Sequence, residues 1–217
     1  MTKKIGVIGS GSVAKTLATG LKKHGHEVRI GSREPQKLAD YAKESGVAAG
    51  SFEDVAAFGE VIVLAVKGKG AVEAASMIGK AIAGKVVIDT SNPIADGPPA
   101  GGSIVPFFTG PNDSLLERLQ AAVPSARFVK AWNIVGAHLM IDPKLEGGRP
   151  TMFIAGDDDA AKKVVAAILD GVGWDTEDIG KAVGARAIEP LCQLWCAPGF
   201  LRNDWAHALR VVRPAKK

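Results

Sequence analysis

The turn Gly9-Ser10-Gly11-Ser12-Val13-Ala14 constrains this chain more than any other stretch. Before it, Ile5-Gly6-Val7-Ile8 is a short apolar run of the kind that parallel sheets bury on both faces. After it, Val13, Leu17 and Leu21 recur at helical spacing, with Ala14 and Ala18 beside them. Strand, glycine turn and helix in this order form the setting in which G-x-G-x-x-A binds a dinucleotide; without that setting the pattern is only a tight turn. Gly9 permits the turn, and Gly11 lets the backbone approach a pyrophosphate with no side chain between. Ala14 is small enough for the helix to lie close on the strand. Amides at the helix start then face the anion, aided by the helix dipole.

The second strand selects the nucleotide. Glu27-Val28-Arg29-Ile30 ends at Gly31-Ser32-Arg33, where NAD-binding chains place a carboxylate for the ribose 2′-hydroxyl. Here there is none. Ser32 brings a hydroxyl, Arg33 a guanidinium and Lys37 an ammonium, a set suited to a 2′-phosphate because the arginine fork binds two oxygens at once. A plain solvated loop, with Glu34 paired to Arg33, is the competing reading. Position within the fingerprint favours NADP(H) as the cofactor.

Further along, a helix is expected over 34–45, a short strand over 47–51 and a helix capped by Ser51. Val61 to Val66 is the clearest strand of the chain, apolar on both faces. Its exit, Ala65-Val66-Lys67, lies at the carboxyl edge where open α/β sheets bind ligands. Lys67 there reads either as an anion contact or as a solvated lysine. One helix is expected from Ala71 to Ala83, then the strand Val86 to Asp89, with Asn92-Pro93 at its exit. The Asn92 amide can orient a nicotinamide, and Asn-Pro is equally a common turn pair. Residues 94–109, rich in Gly and Pro, predict a long loop of the kind that often serves as a lid. Asn112 or Asp113 is the expected cap of the next helix, and a strand is expected from Phe128 to Asn133. Gly136 and Ala137 beyond it leave room for something flat, or simply start a helix. A strand from Thr151 to Gly156, a helix capped by the acidic run 157–159 and a strand from Asp175 to Ile179 follow. The stretch Arg186 to Val212 reads as mainly helical, interrupted at Pro198-Gly199.

These elements predict an α/β chain: a Rossmann-like, doubly wound, mainly parallel sheet with a C-terminal helical segment. Residues 1–180 form the expected NADP-binding domain, and 181–217 a helical segment packing on it or on a homodimer partner. A net charge of +4 is dispersed over 217 residues, and no basic stripe interleaves with aromatics, which argues against nucleic-acid binding. No apolar run reaches membrane-spanning length, and Met1-Thr2-Lys3-Lys4 leads straight into a core strand, so a cytoplasmic location is expected. Cys192 and Cys196, four apart on an apolar helix, read as core residues rather than a redox pair. No metal-ligand spacing is present apart from the adjacent turn histidines His24 and His26, and no catalytic acid or nucleophile is assigned.

Five segments together resemble the F420-dependent NADP oxidoreductase family. They are I-G-V-I-G-S-G-S-V-A-K-T-L-A from Ile5, G-S-R at 31–33, V-I-V-L-A-V at 61–66, V-K-A-W-N at 129–133 and F-I-A-G-D-D-D-A-A-K-K-V-V from Phe153. The resemblance runs to about Leu194. It implies hydride transfer between NADPH and the deazaflavin F420 with the two rings stacked, chemistry that needs alignment rather than a protein acid. It further implies that Ser10, Ser12 and Val13 hold the pyrophosphate, and that Ser32, Arg33 and Lys37 hold the 2′-phosphate. Ala65-Val66 and Asn92-Pro93 would flank the nicotinamide, and Asn133 to Ala137, with Gly136, would meet the second ring. The family pattern has His where this chain has Asn133 and Pro where it has Gly136. W-N-I-V-G-A at 132–137 is closer to the cytoplasmic domains of the STEAP metalloreductases, which use NADPH and a flavin. F420, FMN or FAD, or a small carbonyl or imine compound therefore stand as acceptors. The alternative function is an NADP(H)-binding sensor without turnover. An open pocket lined by Asn92, Asn133 and the 94–109 loop would mark the enzyme, and a nicotinamide face sealed by side chains would mark the sensor.

Overall fold

The computed structural model describes residues 2–214. Three runs of apolar, largely β-branched residues make β1 (Lys4–Ile8), β4 (Val61–Leu64) and β5 (Val86–Asp89), with β2 (Glu27–Gly31), β3 (Ala48–Gly50) and β6 (Arg127–Lys130) completing the sheet. The order is β3-β2-β1-β4-β5-β6, and every pairing is parallel, for example Val7 beside Ile30 on one side and Val63 on the other. Strand order reverses between β1 and β4, so the loops leaving their carboxyl ends part and open a crevice there. A second parallel pair, β7 (Thr151–Ile154) and β8 (Asp175–Asp178), joins the edge of β6 through an antiparallel bridge of Lys130 to Ala155.

Helices cover both faces. α1 (Ser12–Lys23) buries Ala14, Leu17, Ala18 and Leu21, a stripe that follows directly from the 3.6-residue period. Burying each leucine stabilises the fold by about 2 kcal/mol. α2 (Ala39–Ser45) closes on Gly46 in the left-handed region. α3 (Phe52–Phe58) starts at the expected cap, where Ser51 and Asp54 form a reciprocal capping box. Asp158 caps α7 (Asp159–Gly171) by accepting from the Ala161 N–H at 2.6 Å, so this acidic run begins a helix.

Several elements differ from expectation. The helix expected over 71–83 is two pieces, α4 (Ala71–Met77) and α5 (Gly79–Ile82), because the backbone turns at Ile78 and Gly79 follows as a poor helix former. Neither Asn112 nor Asp113 caps α6 (Leu115–Ala122). Ser114 does, accepting from the Glu117 N–H at 3.2 Å, while Asp113 is taken up by Arg118. β6 stops at Lys130 instead of Asn133, because buried Trp132 adopts a left-handed backbone with φ of 59°. α8 (Ala185–Ile188) and α9 (Leu191–Arg202) form the C-terminal helices, and Pro198-Gly199 lies inside α9 rather than breaking it. Pro198 has no N–H to donate to the Leu194 carbonyl one turn back, and Leu194 is exposed. The helix ends at left-handed Asn203, and the tail beyond it returns over β7: Thr151 N–H donates to Leu209 O at 2.8 Å, and Val211 N–H donates to Thr151 Oγ1 at 3.0 Å. Ala182, Ala185, Ile188 and Trp195 join the same buried core as the sheet. Residues 215–217, the end of the expected C-terminal segment, lie outside the described residues. Among the described residues no helix is long and apolar enough to cross a membrane.

Candidate functional site

The glycine turn sits over the crevice between β1 and β4. Gly9 has φ of +140°, and a Cβ there would stand 2.2 Å from the Ala65 carbonyl oxygen, so no other residue fits this close approach to the exit of β4. Gly11 is the opposite case: a Cβ on it would meet nothing within 4 Å, and the space above it is open. Gly11 also caps α1 without a side chain, and the first intrahelical bond runs from the Lys15 N–H to Gly11 O at 3.0 Å. The Ser12 and Val13 amides therefore have no acceptor within the helix. The first turn of α1 carries no acidic residue. Exposed Ser10, Gly11 and Ser12 thus present uncompensated N–H groups and the positive end of a twelve-residue helix, an arrangement that accepts phosphate oxygens.

At the end of β2, Ser32 is buried, and its Oγ accepts from the Glu34 N–H at 3.1 Å. Lys37 Nζ donates to Glu34 Oε1 at 2.6 Å. Glu34 thus pairs with Lys37, not with Arg33. Arg33 is exposed, and among the described residues its guanidinium has no hydrogen-bond partner. The fork is left free at the strand end where a nucleotide ribose binds in this fold.

At the other end of the crevice, the exits of β4 and β5 touch. A Cβ on Gly68 would lie 1.9 Å from the Asn92 carbonyl oxygen, a contact that makes Gly68 a site residue which the K-G-K-G sequence at 67–70 hints at only weakly. Ala65 is buried and Val66 half-buried beside it, while Lys67 is exposed. Pro93 O accepts from the Phe108 N–H at 2.9 Å, closing the base of the 94–109 loop, which carries only isolated bridges. Lys69 pairs with Asp96 and Gln193 donates to Val105 O at 2.7 Å, so the loop is pinned at both flanks.

Asn92 and Asn133, distant in sequence, are locked together. Asn92 Nδ2 donates to Asn133 O at 2.7 Å, and Asn133 Nδ2 donates to Asn92 Oδ1 at 3.1 Å and to Ile188 O at 3.3 Å. Asn133 is buried, and its Oδ1 has no hydrogen-bond partner. Gly136 and Ala137 are half-buried, and the flat neighbour of Gly136 is the protein's own Trp195: a Cβ on Gly136 would stand 2.8 Å from the indole Cη2 and 2.9 Å from His138 Cε1. Trp195 in turn stacks on His207 of the returning tail at 5.4 Å. A cavity of about 240 Å³ opens between Phe107 and Thr109 of the loop and Arg186, Glu189 and Gln193, without Asn92 or Asn133 in its wall.

Beneath these loops lies a cluster invisible to sequence reasoning. Lys130 is fully buried, with Nζ 2.5 Å from Asp89 Oδ2, 2.8 Å from Glu189 Oε1 and 3.0 Å from Ser91 O. Burial alone would lower the Lys130 pKa, but the Asp89 and Glu189 carboxylates outweigh it and hold it above its ordinary value. Glu189 also accepts from the Leu115 and Leu116 N–H groups, each at 3.0 Å. Nearby, contact with Cys196, then burial, pushes the Cys192 thiol up; both cysteines are free. Among the described residues no group of three or more His, Cys, Asp or Glu side chains is placed to hold a metal ion.

Residues 4–93 match the family described as NADP oxidoreductase, coenzyme F420-dependent. The crystal structure of a "putative F420 dependent NADP-reductase" from Arthrobacter sp. FB24 is 32% identical, with a TM-score of 0.89 over 98% of this chain and 100% of that one. A hypothetical protein from Sinorhizobium meliloti is 25% identical, with a TM-score of 0.69 over 87% of this chain and 90% of that one. The metalloreductase STEAP3 of Rattus norvegicus is 28% identical over 202 residues, covering 91% of this chain but 39% of its own length. This chain therefore spans about two-fifths of that curated relative.

Proposed function

The chain belongs to the F420-dependent NADP oxidoreductase family, and from that premise we propose that it is an NADPH-dependent oxidoreductase exchanging hydride between NADP(H) and a second redox ring, F420 or a flavin such as FMN or FAD. The observation that carries the reading is the pairing of an uncapped α1 N-terminus with a free Arg33 at the end of β2, where no carboxylate stands. Ser10, Gly11, Ser12 and Val13 bind the pyrophosphate through backbone N–H groups, while Gly9, whose own N–H donates to Gly31 O at 2.9 Å, shapes the turn that carries them. Arg33, with Ser32 and Lys37, binds the 2′-phosphate. Ala65, Val66, Asn92 and Pro93 line the nicotinamide end, with Lys67 at its rim. When bound, NADPH supplies the hydride. The residues of the chain orient the ring and keep water away from it.

A second reading is an NADP(H)-binding protein without turnover. Trp195 already fills the space beside Gly136, which suits an NADP(H)-binding sensor that turns nothing over. Parallel equilibrium titrations with NADPH and NADH test the cofactor assignment. Binding of NADPH at least about tenfold tighter than NADH, a difference of about 1.4 kcal/mol, is the expected result. Equal affinities would refute it.

A further inference from the structure

The buried Lys130 has no part in phosphate binding, and a fully buried ion cluster needs a reason. Taking a lysine and two carboxylates out of water costs several kcal/mol per ion, and well-packed apolar side chains of similar size commonly do as well or better for stability. Stability alone therefore does not account for the cluster. Its contacts point elsewhere. Asp89 Oδ1 accepts from the Ser91 N–H at 2.9 Å and from Ser91 Oγ at 2.6 Å, while Lys130 Nζ donates to Ser91 O at 3.0 Å. The peptide groups on both sides of Ser91 are thus gripped, one by the carboxylate and the other by the ammonium. The next residue is Asn92, whose carbonyl presses on Gly68 and whose side chain interlocks with Asn133. One buried cation consequently sets the exit of β5 against the exit of β4 and the segment after β6. Those are the loops that border the nicotinamide end of the crevice. Glu189 extends the tie to α6 and the α8–α9 corner.

We propose that Lys130, held between Asp89 and Glu189, is a positioning residue for the nicotinamide half of the cofactor and acts through the Ser91–Asn92 turn. The inference rests on the NADP(H) reading above. It makes a claim that a merely structural strut does not: loosening the cluster should weaken the nicotinamide half of binding and spare the adenosine half, which is held at Gly9–Val13 and Arg33.

The test compares two ligands. NADPH spans the whole site, and 2′,5′-ADP reaches only the phosphate end. Lys130→Met leaves two buried carboxylates facing each other and risks misfolding. Lys130→Met/Asp89→Asn removes that conflict, leaving Glu189 with its two amide donors. For the variant that folds, the NADPH Kd should rise about tenfold or more, and the 2′,5′-ADP Kd should stay within about twofold. The fluorescence of bound NADPH should fall toward that of the free cofactor as the ring loses its fixed setting. Retained 2′,5′-ADP affinity also certifies the fold of the variant. Equal weakening of both ligands, or unchanged NADPH affinity and fluorescence, overturns the proposal. Failure of the wild-type protein to bind NADPH at all overturns the cofactor reading first, and is told apart because it needs no variant.

Discussion

Replacing Arg33 with alanine is the sharpest single perturbation of the cofactor site. The side chain is exposed and, among the described residues, has no hydrogen bond or ion pair to lose, so stability should move by no more than about 0.5 kcal/mol. A charge-assisted hydrogen bond contributes about 1.5–3 kcal/mol, and a guanidinium on a phosphate offers at least one. Arg33→Ala should therefore weaken NADPH binding by roughly ten- to a hundredfold while leaving the weaker NADH binding nearly unchanged. Lys37 makes up only part of the loss, because its ammonium is shared with Glu34 at 2.6 Å. By the same logic, Glu34→Gln should release Lys37 and tighten NADPH binding by about two- to threefold, a small gain because exposed pairs are weak. Both effects should shrink at high salt, since the groups lie open to screening. Calorimetric titration of both cofactors against wild type and variants reads them directly. Equal fractional losses for NADPH and NADH in Arg33→Ala would refute the reasoning, because only one of the two carries the phosphate.

Gly9→Ala should destabilise the fold by about 3 kcal/mol or more in denaturant unfolding, since its Cβ would meet a backbone oxygen at 2.2 Å. Gly11→Ala should leave unfolding almost unchanged yet weaken NADPH binding, because its Cβ would enter open space needed by the pyrophosphate; the reverse ranking would contradict the site geometry. Asn133→Ala removes donors to Asn92 Oδ1 and Ile188 O and should cost about 1–3 kcal/mol of stability, lowering turnover with little change in NADPH affinity; a large loss of NADPH binding would remove Asn133 from the acceptor side. Hydrogen bonds from Arg186 hold the Glu117 carboxyl below its ordinary pKa of 4.5, so the stabilisation is present above that value and disappears as pH falls through the lower folded-state pKa. The stability gap between wild type and Arg186→Gln should accordingly close in acid. A gap independent of pH would refute the assignment.

The geometry of the glycine turn and of the β2 exit was legible because its signals are local. A glycine turn, a missing carboxylate after β2 and apolar strands on either side all fall within short stretches, and the sheet order follows from their alternation with helices. Residues whose roles depend on distant partners were not legible. Lys130 in V-K-A-W reads as one charge in a strand, and nothing nearby in sequence announces Asp89 or Glu189 as its partners. Gly136 reads as open space until Trp195, brought back by α9, is seen to fill it. Trp132 shortened β6 through a backbone conformation that its residue type disfavours, and Pro198 sits within α9, so local propensity misleads at both places. The competing partners of Glu34, Arg33 and Lys37, could be separated only by geometry.

Hydride transfer itself is observable in a single turnover. Protein loaded with NADPH is mixed in turn with F420, FMN and FAD, and the absorbance of the reduced nicotinamide is followed under single-turnover conditions. Rapid loss of that absorbance with one ring acceptor, matched by reduction of the acceptor, is the predicted result. Tight NADPH binding with no oxidation by any of the three would contradict it and turn the site into that of a nucleotide sensor.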